Sequence, residues 1–195
     1  MRVGVALGVL LMIGGCGHVR DDKDGKPGPI GEWSTAGCAA PRRPAELYSV
    51  INKIEAAGKG AFAGSFAGVE IDQERARAIV YRVPSAAFDE FVRRAAVDAC
   101  VIVRAADHSM KDLAVWHDRV LADLPYWTHR GVRIVSIGAR HDGTGVEIGV
   151  RDVEEARREL AARYGIEAPL IFRAADPVRP LPVPTSRIAP PPEGA

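Results

Sequence analysis

Apolar side chains recur at helical spacing in four stretches of the chain, and shorter β-rich runs lie between them. Each helical stretch carries a stripe of apolar residues three or four positions apart, which predicts an amphipathic helix with one buried face. The stripes are Leu47, Val50, Ile51 and Ile54; Phe88, Phe91, Val92, Ala95, Ala96 and Ala99; Leu113, Trp116, His117, Val120, Leu121 and Leu124; and Val153, Ala156, Leu160 and Tyr164. Predicted caps and stops flank them: Pro44, Ser85, Ser109 and Asp152 at the starts, and Gly58, Pro125 and Gly165 at the ends.

The runs between the helices are rich in β-branched and apolar residues and predict six strands. These strands lie at 66–72, 78–83, 100–103, 132–139, 145–150 and 170–172. Short polar segments join the first pair and the fourth and fifth strands into hairpins, and Asp142-Gly143 is a turn signal in the second hairpin. From residue 177 onward the chain is Pro-rich and has no apolar period, so 177–195 is predicted to be an extended or disordered tail.

The two halves of the chain repeat the same order of hairpin, helix and strand. The hairpin strand that begins at Ala78 recurs at Val146, and the closing strand that begins at Val101 recurs at Leu170. Arg-Ala-Ala-Asp follows both closing strands, at 104–107 and 173–176. This order predicts an internal duplication with copies at about 66–107 and 132–176. The predicted fold class is therefore α+β: two ββαβ repeats joined by a helix, with a short N-terminal helix and disordered tails, forming one duplicated domain over 44–176.

The second copy carries Gly-Val-Glu-Ile-Gly-Val at 145–150, a helix, Tyr164-Gly165 and a closing apolar strand. With the hairpin–helix–strand order of both copies, these residues resemble the duplicated prodomains of secreted serine proteases of the α-lytic type. The resemblance covers roughly residues 66–172 and implies their fold. In that family the prodomain binds the protease and catalyses its folding. Here a Pro-rich tail follows the last strand instead of a protease domain, so the resemblance implies a fold and a habit of binding proteins.

The first sixteen residues predict export. Arg2 gives a positively charged start, residues 3–13 form a short apolar run, and 13–16 read Ile-Gly-Gly-Cys. That ending resembles the bacterial lipobox, in which a signal peptidase cuts before the cysteine and the cysteine sulfur carries diacylglycerol. The resemblance implies a lipoprotein signal peptide at 1–15 and a lipid on Cys16, which anchors the exported protein to a membrane on the side away from the cytoplasm. In the alternative, Cys16 is an ordinary residue near a conventional cleavage site.

Composition after cleavage supports the lipoprotein interpretation and disfavours a nucleic-acid partner. Removal of the first 15 of 195 residues also removes one of 26 basic residues, which leaves 25 of each charge. A nucleic-acid-binding domain needs a basic excess, and this chain has none. Residues 17–33 are polar and contain Gly, Pro, Asp and Lys, so 16–43 is predicted to be a flexible tether.

Two further cysteines, Cys38 and Cys100, remain after lipidation of Cys16. Outside the cytoplasm such a pair commonly forms a disulfide, which would clip the N-terminal segment onto the domain. In the alternative, Cys100 is a buried free thiol and Cys38 a mobile one. The sequence favours the bridge.

Catalytic and metal-binding motifs are not apparent, so the sequence predicts no catalytic residue, no metal site and no cofactor. Its five histidines lack the close-spaced pairing typical of a zinc site. His117 is expected at the core or its rim, and a dyad with Asp118 is not expected because adjacent helical residues point apart. The glycine-rich segment 138–145 imitates a phosphate loop but lies between two strands and lacks its lysine, so a hairpin turn is the better interpretation.

Tyr126 and Trp127 follow Pro125 and are expected in a loop, where they would form a binding patch; in the alternative they are core aromatics. The expected function is a lipid-anchored, non-enzymatic protein of the cell envelope whose α+β domain binds another envelope protein or a cell-wall polymer. One alternative is an envelope hydrolase whose site assembles only in the fold. Another is a structural spacer.

Overall fold

A computed structural model of the protein describes residues 31–39 and 44–177. Within these residues the chain forms five α-helices, seven strands and one short 3-10 helix at Ala36–Ala39. The helices are α1 (Pro44–Lys59), α2 (Ala86–Ala95), α3 (Met110–Ala122), α4 (Leu124–His129) and α5 (Val153–Tyr164). The strands are β1 (Trp33–Ser34), β2 (Phe66–Asp72), β3 (Arg77–Arg82), β4 (Val101–Ala105), β5 (Ile134–Ala139), β6 (Val146–Val150) and β7 (Leu170–Ala174).

The strands form two separate sheets, each built around a hairpin and a parallel closing strand. In the first sheet the order is β1-β4-β3-β2, and in the second it is β5-β6-β7. The hairpins β2–β3 and β5–β6 are antiparallel, whereas β4 lies parallel to β3 and β7 parallel to β6. Parallel neighbours need a crossover connection, and α2 and α5 provide it. The α+β class and the two hairpin–helix–strand repeats predicted from the sequence are confirmed.

The strand registers show the duplication residue by residue. Each hairpin has an irregularity at the same place, between Phe66 and Gly68 in the first sheet and between Ile134 and Ser136 in the second. One constant offset in residue number relates every paired position of the second hairpin to a paired position of the first. A β-bulge alters the twist and direction of a strand, so the shared position indicates that both copies bend alike.

Each sheet is covered by its own leading helix as well as by its crossover helix. Helix α1 packs on β2 and β3, and α3 packs on β5 and β6. The helix predicted to join the copies therefore also belongs to the second one. We name the first repeat α1 to β4 and the second repeat α3 to β7. Each repeat has its own hydrophobic cluster, with Phe88 and Val103 in the first and Leu160 and Ile148 in the second.

The predicted helix starts agree with the observed caps. The Ser85 side chain accepts a hydrogen bond from the Phe88 amide, and the Ser109 side chain accepts one from the Asp112 amide. Asp152 in the same way accepts from the amide of Glu155, at 2.9 Å. These caps satisfy amide groups that have no partner within the helix.

Two predicted helix ends differ from the structure. Helix α1 continues through Gly58 to Lys59. A Cβ at position 58 would collide with the ring of Phe66, so the glycine serves the packing of β2 on the helix rather than ending the helix. Pro125 does not begin a loop. It lies in the first turn of α4, where its missing amide proton costs nothing.

The predicted tether is wrong for residues 31–39. Strand β1 pairs antiparallel with β4, with Trp33 opposite Val103. The buried Thr35 hydroxyl donates to the carbonyl of Ala99 at 2.6 Å and accepts from the amide of Val101 at 3.0 Å. The polar composition of this segment suggested that it is solvated. Instead, Trp33 and the Thr35 hydroxyl contact the edge of β4. The predicted signal peptide, the rest of the predicted tether and the predicted tail beyond residue 177 lie outside the described residues.

The second hairpin turn docks on the first repeat. The amide of His108 donates to the carbonyl of Gly143 at 3.1 Å. Gly143 has a φ of 71°, and a Cβ there would crowd Ala106. Gly68 on β2 lies against the backbone of His141, so a side chain at either glycine would push the repeats apart. The junction between the repeats thus depends on backbone contact at the predicted hairpin turn.

Candidate binding edge

The predicted modification sites have different outcomes. Cys16 lies outside the described residues, and its lipid remains a prediction. Cys38 and Cys100 form a disulfide, as predicted, and this bond encloses a chain separation of 62 residues. The bridge fixes the 3-10 helix beside the start of β4. It therefore holds β1 on the edge of the first sheet.

The predicted aromatic patch is wrong for Trp127, which is 1 % exposed and belongs to the core of the second repeat. Its indole nitrogen donates to the Tyr164 hydroxyl at 3.1 Å, and that hydroxyl donates to Asp123 at 2.7 Å. The prediction assumed a loop after Pro125, whereas α4 turns Trp127 inward. Tyr126 is 40 % exposed, and the guanidinium of Arg163 lies 4.1 Å from its ring centre.

Asp123 ties α3 and α5 together at this point. Its carboxylate accepts two hydrogen bonds from Arg163, at 2.8 and 3.0 Å, and one from Tyr164. The Arg163 guanidinium is the main cause that holds the pKa of Asp123 below its usual value. Burial raises the pKa of Tyr164, so the phenol stays protonated and continues to donate. This arrangement fixes the core of the second repeat and has the character of a structural network.

Two histidines lie near carboxylates. The Nδ1 atom of His117 is 2.9 Å from an Asp118 oxygen on an exposed face of α3, so the expectation that these neighbours point apart is wrong. Adjacent side chains can bend together where solvent leaves them room. His141 Nε2 lies 3.9 Å from Glu70, across the junction between the repeats. Within residues 31–39 and 44–177, neither histidine has a hydrogen bond to a serine, threonine or cysteine.

Tyr81 completes the polar group at the junction. Its hydroxyl donates to Glu70 at 2.9 Å, and its ring meets the ring of His141 edge to face. Burial is the main cause of the raised pKa of Tyr81, with the Glu70 carboxylate second. The phenol is therefore a proton donor to Glu70 rather than an activated nucleophile.

The glycine-rich segment is a hairpin turn, in agreement with the sequence interpretation. Arg140 pairs with Asp142 at 2.6 Å and with Glu147 at 3.2 Å. Asp142 also accepts hydrogen bonds from the amide and the hydroxyl of Thr144. The Arg140 guanidinium holds the pKa of the Asp142 carboxyl far below its usual range. Because this guanidinium is paired with the chain's own carboxylates, the described turn does not offer it as the free cation expected of a phosphate site.

A groove lies where α5 faces the outer side of β7. It has a volume of about 410 Å³, and its floor is formed by Leu170 and Phe172, which are partly buried against the core of the second repeat. The other residues that line it are Glu154, Arg157, Arg158, Ala161, Gly165, Ile166 and Ala168. We call this surface the edge groove. Its described lining contains no histidine, so it lies apart from both histidine–carboxylate contacts.

The strand beside the edge groove has an unpaired side. In the second sheet β7 is the last strand, with β6 on one side and no described strand on the other. In the first sheet the corresponding side of β4 carries β1. An unpaired strand presents a row of amide and carbonyl groups to any extended chain that approaches. The edge groove and this row together make a surface suited to receiving an extended peptide.

Sequence reasoning did not find this surface. The recurrence of Arg-Ala-Ala-Asp at the ends of β4 and β7 was the available signal, since it marks corresponding positions of two edges. What it could not show is that, among the described strands, only β4 has a further strand of the same chain on its outer side.

The described residues contain neither a cluster suited to a metal ion nor a helix suited to crossing a membrane. Within 31–39 and 44–177, no group of three or more histidine, cysteine, aspartate or glutamate side chains is placed to hold a metal ion. None of the helices in these ranges is both long and apolar enough to cross a membrane. No protein-family model, no curated protein and no solved structure matches this chain.

Proposed function

We propose that this chain is a lipid-anchored protein of the cell envelope whose α+β domain binds another protein without catalysing a reaction. The Cys16 sulfur carries the lipid, and a signal peptidase removes the signal peptide 1–15. The lipid holds the protein at the membrane, and the polar residues that follow Cys16 connect the lipid to the duplicated domain. The second repeat presents its β7 edge to the partner.

One observation carries the binding part of the proposal: an unpaired strand edge lies beside an apolar groove. Strand addition to such an edge gives affinity through main-chain hydrogen bonds, while side-chain pockets give specificity. A polysaccharide lacks a strand's regular alternation of amide and carbonyl groups, so a protein segment suits this edge better than a wall polymer. The hydrolase alternative needs a nucleophile, a base and oxyanion donors in one pocket, and the described lining of the edge groove contains no serine, threonine, cysteine or histidine.

The anchor is tested by substitution of Cys16. We expect Cys16→Ala to release the protein from membranes or to leave an uncleaved precursor, because no other residue of the lipobox can carry the thioether. Cell fractionation, gel mobility and labelling with a fatty-acid analogue report the result, with Gly17→Ala as a neighbouring control that keeps the cysteine. A Cys16→Ala protein that fractionates and migrates like the wild type contradicts lipidation.

The binding edge is tested by crosslinking in living cells. A photoreactive phenylalanine analogue at position 172 faces the edge groove, and the same analogue at the exposed Tyr48 on α1 serves as the control. We expect one dominant protein product from position 172 that is absent from position 48. The same set of products from both positions, or none from position 172, argues against a partner at this edge.

A further inference from the structure

The first repeat shows how an extended segment occupies the edge that the second repeat leaves free. Trp33 of β1 lies opposite Val103 of β4, and Ser34 lies opposite Ile102. Val103 belongs to the core, and Trp33 packs against the same cluster from the edge of the sheet. On its other side the Trp33 ring is covered by Arg93 of α2, whose guanidinium carbon lies 4.4 Å from the ring centre.

The residue before Trp33 adds a charge pair to this arrangement. Glu32 accepts a hydrogen bond from Arg104 Nε at 3.2 Å. Because side chains alternate along a strand, Glu32 and Arg104 lie on the opposite face of the sheet from Trp33 and Val103. The edge of β4 thus recognises an acidic residue followed directly by an aromatic one, each on its own face.

The second repeat has the same positions without a described occupant. By the register of the two sheets, Phe172 corresponds to Val103 and Arg173 corresponds to Arg104. The buried positions of the crossover helices match as Phe88 with Ala156 and Val92 with Leu160, and the same spacing places Ala161 of α5 where Arg93 lies on α2. Ala161 and Phe172 both line the edge groove. The groove therefore lies where the ring of Trp33 lies in the first repeat, and the small side chain of Ala161 leaves it open.

Charge at the edge favours an acidic occupant. The side chain of Arg173 is 72 % exposed, and its ion pair with Glu147 is a loose one, at 3.6 Å. Arg157 and Arg158 line the edge groove with Glu154, and the guanidinium carbon of Arg157 lies 5.6 Å from the ring centre of Phe172. An aromatic ring that enters the groove would meet Phe172 and Arg157, which favour it through ring packing and a cation–π contact.

We propose that β7 binds an extended segment of a partner protein in which an acidic residue directly precedes a large aromatic residue. The segment runs antiparallel to β7, its acidic side chain pairs with Arg173, and its ring enters the edge groove beside Ala161. This inference rests on the proposed binding function and names the chemistry of the partner. The chain's own Glu32-Trp33 is not the occupant, because the Cys38–Cys100 disulfide holds that segment on β4.

A peptide of this chain serves as the probe. The octapeptide with the sequence of residues 30–37, Ile-Gly-Glu-Trp-Ser-Thr-Ala-Gly, carries the acidic–aromatic pair without the cysteine. Fluorescence anisotropy of the labelled peptide is measured against the disulfide-bonded protein. We expect saturable binding, and at least tenfold weaker binding when the peptide's Trp is replaced by Ala or its Glu by Lys.

Variants of the protein locate the site and exchange the charge preference. We expect Arg173→Glu to weaken binding of the original peptide at least tenfold and to restore binding of the peptide that carries Lys in place of Glu. Arg94→Glu is the matched control, since Arg94 on α2 is also 72 % exposed and lies on the other repeat. Ala161→Trp fills the edge groove and should abolish binding of both peptides, while circular dichroism verifies the fold of each variant.

The proposal is overturned if the wild-type protein does not bind the octapeptide saturably. It is also overturned if Arg173→Glu and Ala161→Trp bind the octapeptide as the wild type does, which would place the peptide elsewhere. A partner crosslinked at position 172 together with either of these results would retain the proposed function and reject the acidic–aromatic chemistry. Loss of both the crosslink and the peptide binding would reject both.

Discussion

The two repeats share one backbone plan but differ at the outer edge of the closing strand. In the first repeat β1 covers β4, and the disulfide holds it there. In the second repeat β7 has no described strand on its outer side, and the edge groove lies open beside it. A duplicated fold thus contains one closed and one open form of the same edge. The closed form is the observation from which we propose the chemistry of a segment that binds to the open form.

A second difference lies under the crossover helices. Arg82 ends β3 with a side chain only 3 % exposed, and Asp89 of α2 accepts hydrogen bonds from it at 2.8 and 3.1 Å. In the second repeat Val150 takes the place of Arg82 in the register, and the spacing of the copies puts Arg157 at the place of Asp89. Because Val150 needs no counterion, position 157 needs no carboxylate. Arg157 occupies this position and lines the edge groove. The two differences, Val150 in place of Arg82 and Arg157 in place of Asp89, therefore have one explanation.

The largest expected effect on stability comes from removing a large side chain from the core of one repeat only. We expect Trp127→Ala to lower the free energy of unfolding by about 3–5 kcal/mol, because it leaves a cavity and removes the hydrogen bond to Tyr164. Urea unfolding measures the loss, and hydrogen exchange assigns it to a repeat. Since each repeat has its own hydrophobic cluster, protection should fall in β6 and β7 more than in β3 and β4.

The neighbouring aromatic residue is the matched control. Tyr126→Ala removes a half-exposed ring that rests on Arg163 and should cost about 1 kcal/mol or less. Equal losses for the two variants would mean that Tyr126 and Trp127 are not divided between surface and core as described. An equal fall of protection in both repeats would mean that the two cores unfold as one.

Removal of the disulfide should make the first edge resemble the second. The double variant Cys38→Ser/Cys100→Ser loses a bridge across 62 residues, for which we expect a loss of about 2–4 kcal/mol. Amide exchange at Val101 and Val103 should then speed up as β1 detaches from β4. Amides of β7 serve as the internal reference. Unchanged exchange at β4 would show that Trp33 and Thr35 hold β1 without the bridge.

The smallest expected effect is a pH dependence at the turn that joins the repeats. Arg140 and Thr144 lower the pKa of Asp142 in the folded protein relative to its ordinary value of 3.8. The unfolded chain therefore binds this proton more readily, and the contribution of Asp142 is present above about pH 4 and is lost as the pH falls below it. Its contribution should be about 1 kcal/mol, the net value typical of an intramolecular hydrogen bond.

The test compares Asp142→Asn with the wild type in urea unfolding between pH 6 and pH 3. The difference in stability between the two proteins should be largest at pH 6 and should shrink towards pH 3. A constant difference across this range would mean that the Asp142 carboxylate does not titrate with folding.

Local chemistry made much of the fold predictable. The caps Ser85, Ser109 and Asp152 were readable because a capping side chain and its amide partner are three residues apart in the chain. The hairpins were readable because each pairs segments that are close in sequence. The pairing of Cys38 with Cys100 followed from the number of cysteines left once Cys16 was assigned to the predicted lipid.

Positions decided by packing were less predictable. Trp127 was expected near the surface, yet Pro125 lies in the first turn of α4, where proline is tolerated, and this helix directs the Trp127 ring into the core. Residues 31–39 looked like a tether because their composition is polar. A composition does not reveal that Trp33 and Thr35 meet the edge of a strand that lies far along the chain, beyond α1 and α2.

The sequence by itself determined the repeated order of hairpin, helix and strand, because spacing, caps and turns are local properties that do not depend on the rest of the chain. It also placed an arginine at corresponding positions of the two closing strands, Arg104 and Arg173. Only the tertiary structure decided which of these arginines lies beside a docked strand and which lies on an edge with no described strand beside it. That choice depends on whether a distant segment docks beside the strand, and docking is a balance of long-range contacts that no local pattern records.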